Sequence, residues 1–389
     1  TFPILVNANP DASSTNTLTI RPAAGVTAAI TGSAASNALI KLNGANYVTI
    51  DGSNNGTNSR NLTITNNSAT SPTVVAVTSV GTTSVTGNTL KNATIINGVT
   101  SSSAVVVGDA ATLGNAGYFT NITIRNNSLQ KAYMGVYSNA VVTGTNGSGL
   151  MLDSNELNIT GADAIRYVGL YVQGVNGATV RNNTISGFSG TNDEDDKGIW
   201  LATGTTNATV SGNKITSLNY TGVNGYGAHG VFVSSGNATA NITVVNNFIA
   251  NLSGDGWSYT SIPTDNTIGI AISGTQGGVN VYNNSINLSG NTLNQTDAMS
   301  MGIYLGAGSN ADIRNNIIVN NLGLLTTTGY GAAGVYAVTA NTQFTNSNYN
   351  DYVVNPTGSG NKYIGQIATT GSSTLAAWQT ATGQDANSI

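Results

Sequence analysis

The sequence predicts an all-β fold, a right-handed single-stranded parallel β-helix with coils of about 30 residues and an asparagine ladder. Three observations predict it. An Asn-centred hexapeptide recurs along most of the chain, a Gly-centred tripeptide recurs in step with it, and short runs between them alternate apolar with polar residues.

The Asn motif places apolar residues on either side of an Asn pair or its variant. It reads Ile124-Arg125-Asn126-Asn127-Ser128-Leu129, Leu152-Asp153-Ser154-Asn155-Glu156-Leu157 and Val180-Arg181-Asn182-Asn183-Thr184-Ile185. It continues as Val210-Ser211-Gly212-Asn213-Lys214-Ile215, Val244-Val245-Asn246-Asn247-Phe248-Ile249, Val281-Tyr282-Asn283-Asn284-Ser285-Ile286 and Ile313-Arg314-Asn315-Asn316-Ile317-Ile318. A decayed copy is read at Asn346-Ser347-Asn348, and upstream copies at Ile64-Thr65-Asn66-Asn67 and near Asn97-Gly98. Asn tolerates the left-handed backbone of a tight corner, and amides stacked at one corner of successive coils can bond along the axis.

The Gly motif reads Gly135-Val136-Tyr137, Gly169-Leu170-Tyr171, Gly198-Ile199-Trp200, Gly230-Val231-Phe232, Gly269-Ile270-Ala271, Gly302-Ile303-Tyr304 and Gly334-Val335-Tyr336. From Gly169 onward each Gly precedes its Asn by 14 to 17 residues. Alternation sends Ile303 and Leu305 inward and Tyr304 outward. Glycine in the same region as the corner asparagines is expected to serve the same left-handed backbone need without a side chain. A coil cannot bury its apolar face alone, so stability comes from contacts between neighbours.

Residues 1–389 are expected to form one continuous β-helix: looser coils over 1–60, regular coils over 61–350, and a less regular end over 351–389 with a short helix near 374–380. Neither end shows a polar cap. Thr1-Phe2-Pro3-Ile4-Leu5-Val6 lacks the basic region and cleavage pattern of a signal peptide, so a piece of a longer chain is expected.

Composition narrows the partners. Charged residues make up 7% of the chain, against roughly 25% in an ordinary soluble domain. With 12 Lys and Arg thinly spread there is no basic stripe, and nucleic acid is excluded. The absence of cysteine excludes disulfides and thiolate metal sites, and no apolar run is long enough to insert into a membrane.

Several phrases resemble a known family. Thr17-Leu18-Thr19-Ile20-Arg21-Pro22, Leu42-Asn43-Gly44-Ala45, Val48-Thr49-Ile50-Asp51-Gly52 and Asn61-Leu62-Thr63-Ile64-Thr65-Asn66 are similar to the large surface β-helix proteins of Gram-negative gliding bacteria. So are Leu375-Ala376-Ala377-Trp378-Gln379 and Gly383-Gln384-Asp385-Ala386-Asn387-Ser388-Ile389. The resemblance implies a pectate-lyase-like solenoid, an outer-surface location and export commonly by the type IX route, with a sorting domain further downstream.

Three candidate sites stand out. Tyr137, Tyr171, Trp200, Phe232, Tyr304 and Tyr336 share one outward position, with Ala271 as a gap. Stacked about 4.8 Å apart, they are expected to form a platform for glycans or another protein. Alternatively the rings support one another, or lie beneath a loop of the long 213–247 or 247–284 coils. Asp193, Glu194, Asp195 and Asp196 form a solvated turn or a calcium loop, since hard cations prefer clustered oxygens.

The third candidate is an acid–imidazole edge. His229 follows these acids by one coil, and Asp163, Asp265 and Asp297 precede the equivalent Gly elsewhere. Such an edge could serve polysaccharide cleavage. Asp195-Asp196 followed by Gly227-Ala228-His229-Gly230 resembles polygalacturonases, although their Asn-Thr-Asp and Arg-Ile-Lys motifs have no match. No convergent catalytic set is found and no cofactor beyond calcium is expected. The chain is therefore read as a non-enzymatic extracellular structural or adhesive protein. As a rod it would stack on itself end to end, bind other surface proteins, or display faces for glycans. A polysaccharide lyase or glycoside hydrolase is the alternative.

Overall fold

The computed structural model describes residues 2–144, 146–324, 331–358 and 360–389. It contains two compact units, one of Thr1–Ile185 with Thr203–Ala208, the other of Ser186–Ala202 with Thr209–Ile389. Within each unit the coils repeat three short strands, and each strand pairs in parallel with its equivalents in neighbouring coils. The protein is a parallel β-solenoid.

In the first unit the first sheet stacks Ile4–Asn7, Ala38–Asn43, Thr73–Ser79, Val105–Asp109, Met134–Asn139 and Val168–Gln173. The second sheet begins with Leu18–Ile20 and Val48–Asp51, and the third with Ala28–Gly32 and Leu62–Asn66. The opening residues are thus an ordinary three-strand coil. In the second unit the first sheet stacks Asp196–Leu201, Ala228–Val233, Ile268–Ile272, Met299–Leu305, Gly331–Ala337 and Lys362–Ile367.

The alternation read from sequence sets the core. Ile199, Leu201, Val231, Val233, Ile270, Ile272, Ile303 and Leu305 are fully buried, each against the same position one coil away. Each such side chain contributes about 1.5–3 kcal/mol of transfer free energy only because a neighbour covers it.

The glycines of the Gly-centred motif are required by packing. A Cβ at Gly198 would lie 2.6 Å from the Gly230 carbonyl oxygen and 2.6 Å from Ile215 Cγ2. At Gly302 the distances are 2.5 Å to Gly334 O and 2.4 Å to Ile318 Cγ2. Neither glycine has a positive φ. Close packing of one sheet on another requires them, not a left-handed backbone.

The corner asparagines divide their work. The left-handed residue is the first of each pair: Asn126, Ser154, Asn182, Gly212, Asn246, Asn283 and Asn315 have φ between +50° and +65°. The second is buried and carries the ladder. In the first unit Asn155 Oδ1 accepts the backbone N–H and the Nδ2 of Asn127, both at 3.1 Å, while Asn155 Nδ2 donates to the Ile124 carbonyl at 2.9 Å. Asn183 repeats this toward Asn155. In the second unit the same pattern links Asn213 to Asn247, Asn247 to Asn284, Asn284 to Asn316 and Asn316 to Asn350, at 2.9 to 3.0 Å.

Three copies of the motif fall out of register with the sequence reading, those at Asn346-Ser347-Asn348, Asn97-Gly98 and Asn66-Asn67. The last corner is Asn348-Tyr349-Asn350, with Tyr349 at φ +59° and Asn350 in the ladder. Upstream, the equivalent corner is Asn92-Ala93, where Ala93 N–H donates to Asn127 Oδ1. Asn66 belongs to the following corner, where its amide bridges Ala34 and the Thr73 carbonyl.

The downstream end is capped, contrary to expectation. Strand Thr370–Ser372 folds back antiparallel on Lys362–Ile367, and helix Leu375–Thr382 follows, capped by the Thr374 hydroxyl. Trp378 is fully buried, edge-on to Phe344 at 5.5 Å. Asp385 accepts from Trp378 Nε1 at 2.9 Å, Ser347 Oγ at 2.8 Å, Ser388 Oγ at 2.6 Å and Asn350 Nδ2 at 3.1 Å. The ladder's last amide therefore ends on a carboxylate.

Asn284→Ala would remove the Oδ1 that accepts from both the backbone N–H and the side-chain amide of buried Asn247, together with the amide that donates to the Val244 carbonyl. A loss of about 2–3 kcal/mol is expected, read as a lower urea midpoint. Asp385→Ala would strand the Trp378 indole and the Asn350 amide, with a loss of about 3 kcal/mol and a red-shifted tryptophan emission.

Candidate functional site

The outward row of the first sheet is where the candidate residues gather. In the first unit it runs Lys41, Ala76, Val106, Tyr137, Tyr171 in register. Tyr137 and Tyr171 stack at 4.9 Å with an interplanar angle of 15°. Amides fix their hydroxyls: Asn139 Nδ2 donates to Tyr137 at 3.2 Å, Tyr171 donates to Gln173 Oε1 at 2.6 Å, and Gln173 Nε2 donates to Asn139 Oδ1 at 2.9 Å. Tyr137 is half-buried and Tyr171 is buried.

In the second unit the row runs Trp200, Phe232, Ala271, Tyr304, Tyr336, Gln366. Here the rings form no exposed platform, and the alternative read from the sequence, burial beneath a loop of the 247–284 coil, is what the structure has. Phe232, Tyr304 and Tyr336 are only 8, 5 and 4% exposed, because a loop of the 247–284 coil lies over them. Its Tyr259 meets Tyr336 edge-on at 5.6 Å, and Gln366 Nε2 donates to the Tyr259 hydroxyl at 3.1 Å. Met299 and Met301 fill the space beneath, and Ala271 leaves room in the same cluster. Burial pushes the Tyr304 and Tyr336 hydroxyls up to about 12. Trp200 remains half-exposed, its indole N–H donating to Ser234 Oγ at 2.8 Å.

The same loop closes over the acid–imidazole edge. The residue registered with His229 is Lys197, and Asp196 pairs with Ala228. His229 is completely buried, with Nε2 2.7 Å from the Thr264 carbonyl and its ring stacked on Phe232 at 5.1 Å. Lys197 is buried as well, its Nζ 3.6 Å from Asp195, 5.2 Å from the Trp200 ring and 5.4 Å from the Phe232 ring. Burial holds the Lys197 ammonium below its ordinary range, opposed by Asp195 and Asp196. Burial likewise lowers His229 to about 4, against the pull of Asp195. Asp265, on the loop's short Pro263–Asp265 helical turn, is raised to about 6 by burial and then by Asp195.

The four adjacent acids do not converge. Asp193 accepts from Asn224 Nδ2 at 2.7 Å, Asp195 accepts from the Gly227 N–H at 2.9 Å, and Asp196 is buried. Glu194 is partly exposed. Among the described residues no group of three or more His, Asp or Glu is arranged to hold a metal ion. Asp163, in the first unit, lies 3.9 Å from Lys131, and Asp297, in the second, takes a left-handed φ of +62° at a turn.

Sequence reasoning missed Lys197, Tyr259 and Gln366. The alignment of Gly198 with Gly230 was enough to place Lys197 over His229. Tyr259 and Gln366 lie outside the repeating motifs and carried no such signal.

Stacked coils, amide ladders and a ring row in strict register define a β-solenoid repeat protein. Residues 168–375 match the right handed beta helix region, and the chain belongs to that family. No curated protein sequence matches the chain. Among solved structures it is similar to the A-module of an Azotobacter vinelandii mannuronan C-5 epimerase, at 12% identity over 87% of this chain and 91% of that one, TM-score 0.37. It is also similar to PfbA, a surface adhesin of Streptococcus pneumoniae, at 13% identity over 84% and 71%, TM-score 0.35. The E. coli bacteriophage HK620 tailspike protein, in complex with a pentasaccharide, matches at 12% identity over 93% and 76%, TM-score 0.31. No helix among the described residues is long and apolar enough to cross a membrane.

The buried cluster gives a pH signature. The unfolded His229 titrates near 6.5 and the folded one near 4, so the unfolded chain binds the extra proton between these values. Its stabilising contribution is complete above about 6.5 and is lost as pH falls toward 4. Asp265 runs the other way: with 3.8 unfolded and about 6 folded, its contribution improves on acidification through that window. The two contributions oppose each other and are of similar size, so the melting temperature is expected to change little between about pH 7 and pH 4, to rise on acidification in His229→Gln, and to fall in Asp265→Asn.

Proposed function

We propose that this chain is a non-enzymatic extracellular protein of the cell surface, a β-solenoid scaffold whose sides carry binding faces for glycans or other surface proteins. The closure of the acid–imidazole edge carries this reading. A general acid or base must reach the atom it protonates. His229 is fully buried with Nε2 held by the Thr264 carbonyl, and Asp195 is occupied by Lys197 and the Gly227 N–H. His229 Nε2 and Asp195 are thus already engaged beneath a loop, as buried polar groups in a structural role are.

The low charge supports an outer face of hydroxyls and amides suited to adhesion. The resemblance to surface proteins of gliding bacteria extends the proposal to an outer-surface location and export by the type IX route. End-to-end stacking has less support, because the strand edge beyond Lys362–Ile367 is occupied by the Thr370–Ser372 hairpin arm and the helix. Side-on contacts are the favoured mode. The polysaccharide-cleaving alternative keeps one observation in its favour, a half-buried Asp265 raised to about 6, in the range of a general acid.

Incubation with neutral and acidic polysaccharides, scored for retention and for released chain ends, tests the proposal. Retention without new chain ends is expected. Cleavage that disappears in Asp265→Asn would replace the scaffold reading with the enzymatic one.

A further inference from the structure

The first unit holds a cleft of about 510 Å³ on the outward face of its first sheet, within the size range of small-ligand sites. It exists because the ring row stops. Upstream of Tyr137 the same register position is taken by Val106, then Ala76, then Lys41. With ladder strands about 4.8 Å apart, Lys41 and Tyr137 stand roughly 14 Å from each other at the two ends of a trough. Val106 is part of its floor, and the 110–114 loop with Leu113 forms one wall.

The other wall is polar. Ser71, Ser101 and Ser103 line it, and Tyr133 closes it beside Tyr137. Both rings are backed by stacked partners, Tyr133 on Tyr167 at 4.7 Å and Tyr137 on Tyr171 at 4.9 Å, so their positions are fixed before any ligand arrives. Lys41 Nζ is held by the Ala110 carbonyl at 2.6 Å, which anchors the ammonium at the trough's end. None of the lining residues is acidic, and Asp109, the carboxylate that acts on Lys41, is taken up by the N–H groups of Ala111 and Thr112.

We propose that this trough binds a short acidic saccharide, with a carboxylate at Lys41, a sugar face on Tyr137 and ring hydroxyls along the serine wall. Rigid aromatic faces take the apolar side of a pyranose, and short hydroxyl side chains meet its edge. With Asp109 outside the lining, the Lys41 ammonium is the charge that a ligand in the trough meets, and it favours an anion over a neutral sugar. This deepens the reading of the protein as a carrier of binding faces and rests on it.

Isothermal titration of the whole chain with a short oligogalacturonate, a neutral cello-oligosaccharide and an oligoglutamate peptide tests the assignment. Oligogalacturonate is expected to bind at least about tenfold more tightly than either competitor, and more weakly as salt rises. Lys41→Gln should weaken it about tenfold, and Tyr137→Ala should abolish detectable binding, with both variants melting within a few degrees of wild type. If Tyr137→Ala fails to fold, Tyr137→Phe keeps the test open: it should retain most of the affinity. Equal binding of the neutral sugar, tighter binding of the peptide, or undiminished affinity in Lys41→Gln would overturn the proposal. Those results leave the scaffold reading intact, whereas release of new chain ends with Lys41-dependent binding preserved would overturn the scaffold reading alone.

Discussion

The corner asparagine is the interaction on which the rest of this structure depends. At each turn from the second sheet to the third the chain reverses sharply, and its carbonyls and N–H groups are turned away from water. Asn284 answers this with one side chain: Oδ1 takes the backbone and side-chain donors of Asn247, and Nδ2 serves the Val244 carbonyl. Leaving such groups unpaired would cost more than the hydrogen bonds contribute when made. The ladder also fixes where each coil sits on the next. That registration aligns every other position, including the outward row of rings and the glycines that let two sheets approach.

The same row has opposite fates in the two units. In the second, a long loop inserts Tyr259 and seals the rings with Met299 and Met301, and the charged groups Lys197 and His229 are enclosed with them. Those residues stabilise a loop. In the first, small residues replace the rings upstream of Tyr137, and the walls stand apart. A solenoid can thus vary one register position from aromatic to small and change a face from packed to concave without altering its backbone.

Much of this was legible in the sequence. The Asn pairs, their phase with the glycines and the alternation of Ile303, Tyr304 and Leu305 specify parallel coils because each rests on a local backbone need. What escaped depends on contacts between distant residues. Tyr349 adopts the left-handed corner conformation although it is not an Asn, since Asn350 beyond it still closes the ladder. Asn66 mimics the motif at another corner, and only strand pairing separates the two. The outward rings and a covering loop from the 247–284 coil were both legible, but the side chain that seals them, Tyr259, follows no repeat. The helix of the cap was legible, but its anchoring was not, because Asp385 acts through five side chains scattered from Ser347 to Ser388.

The claim that one stretch of the ring row is sealed and the other open is tested most directly by tyrosine modification. The chain would be treated briefly with a tyrosine-specific acylating reagent, and each site quantified by peptide mass spectrometry. Tyr137 should react well ahead of Tyr259, Tyr304 and Tyr336. Equal reactivity of Tyr304 or Tyr336 with Tyr137 under native conditions would contradict the account, because it would show the loop does not cover the rings.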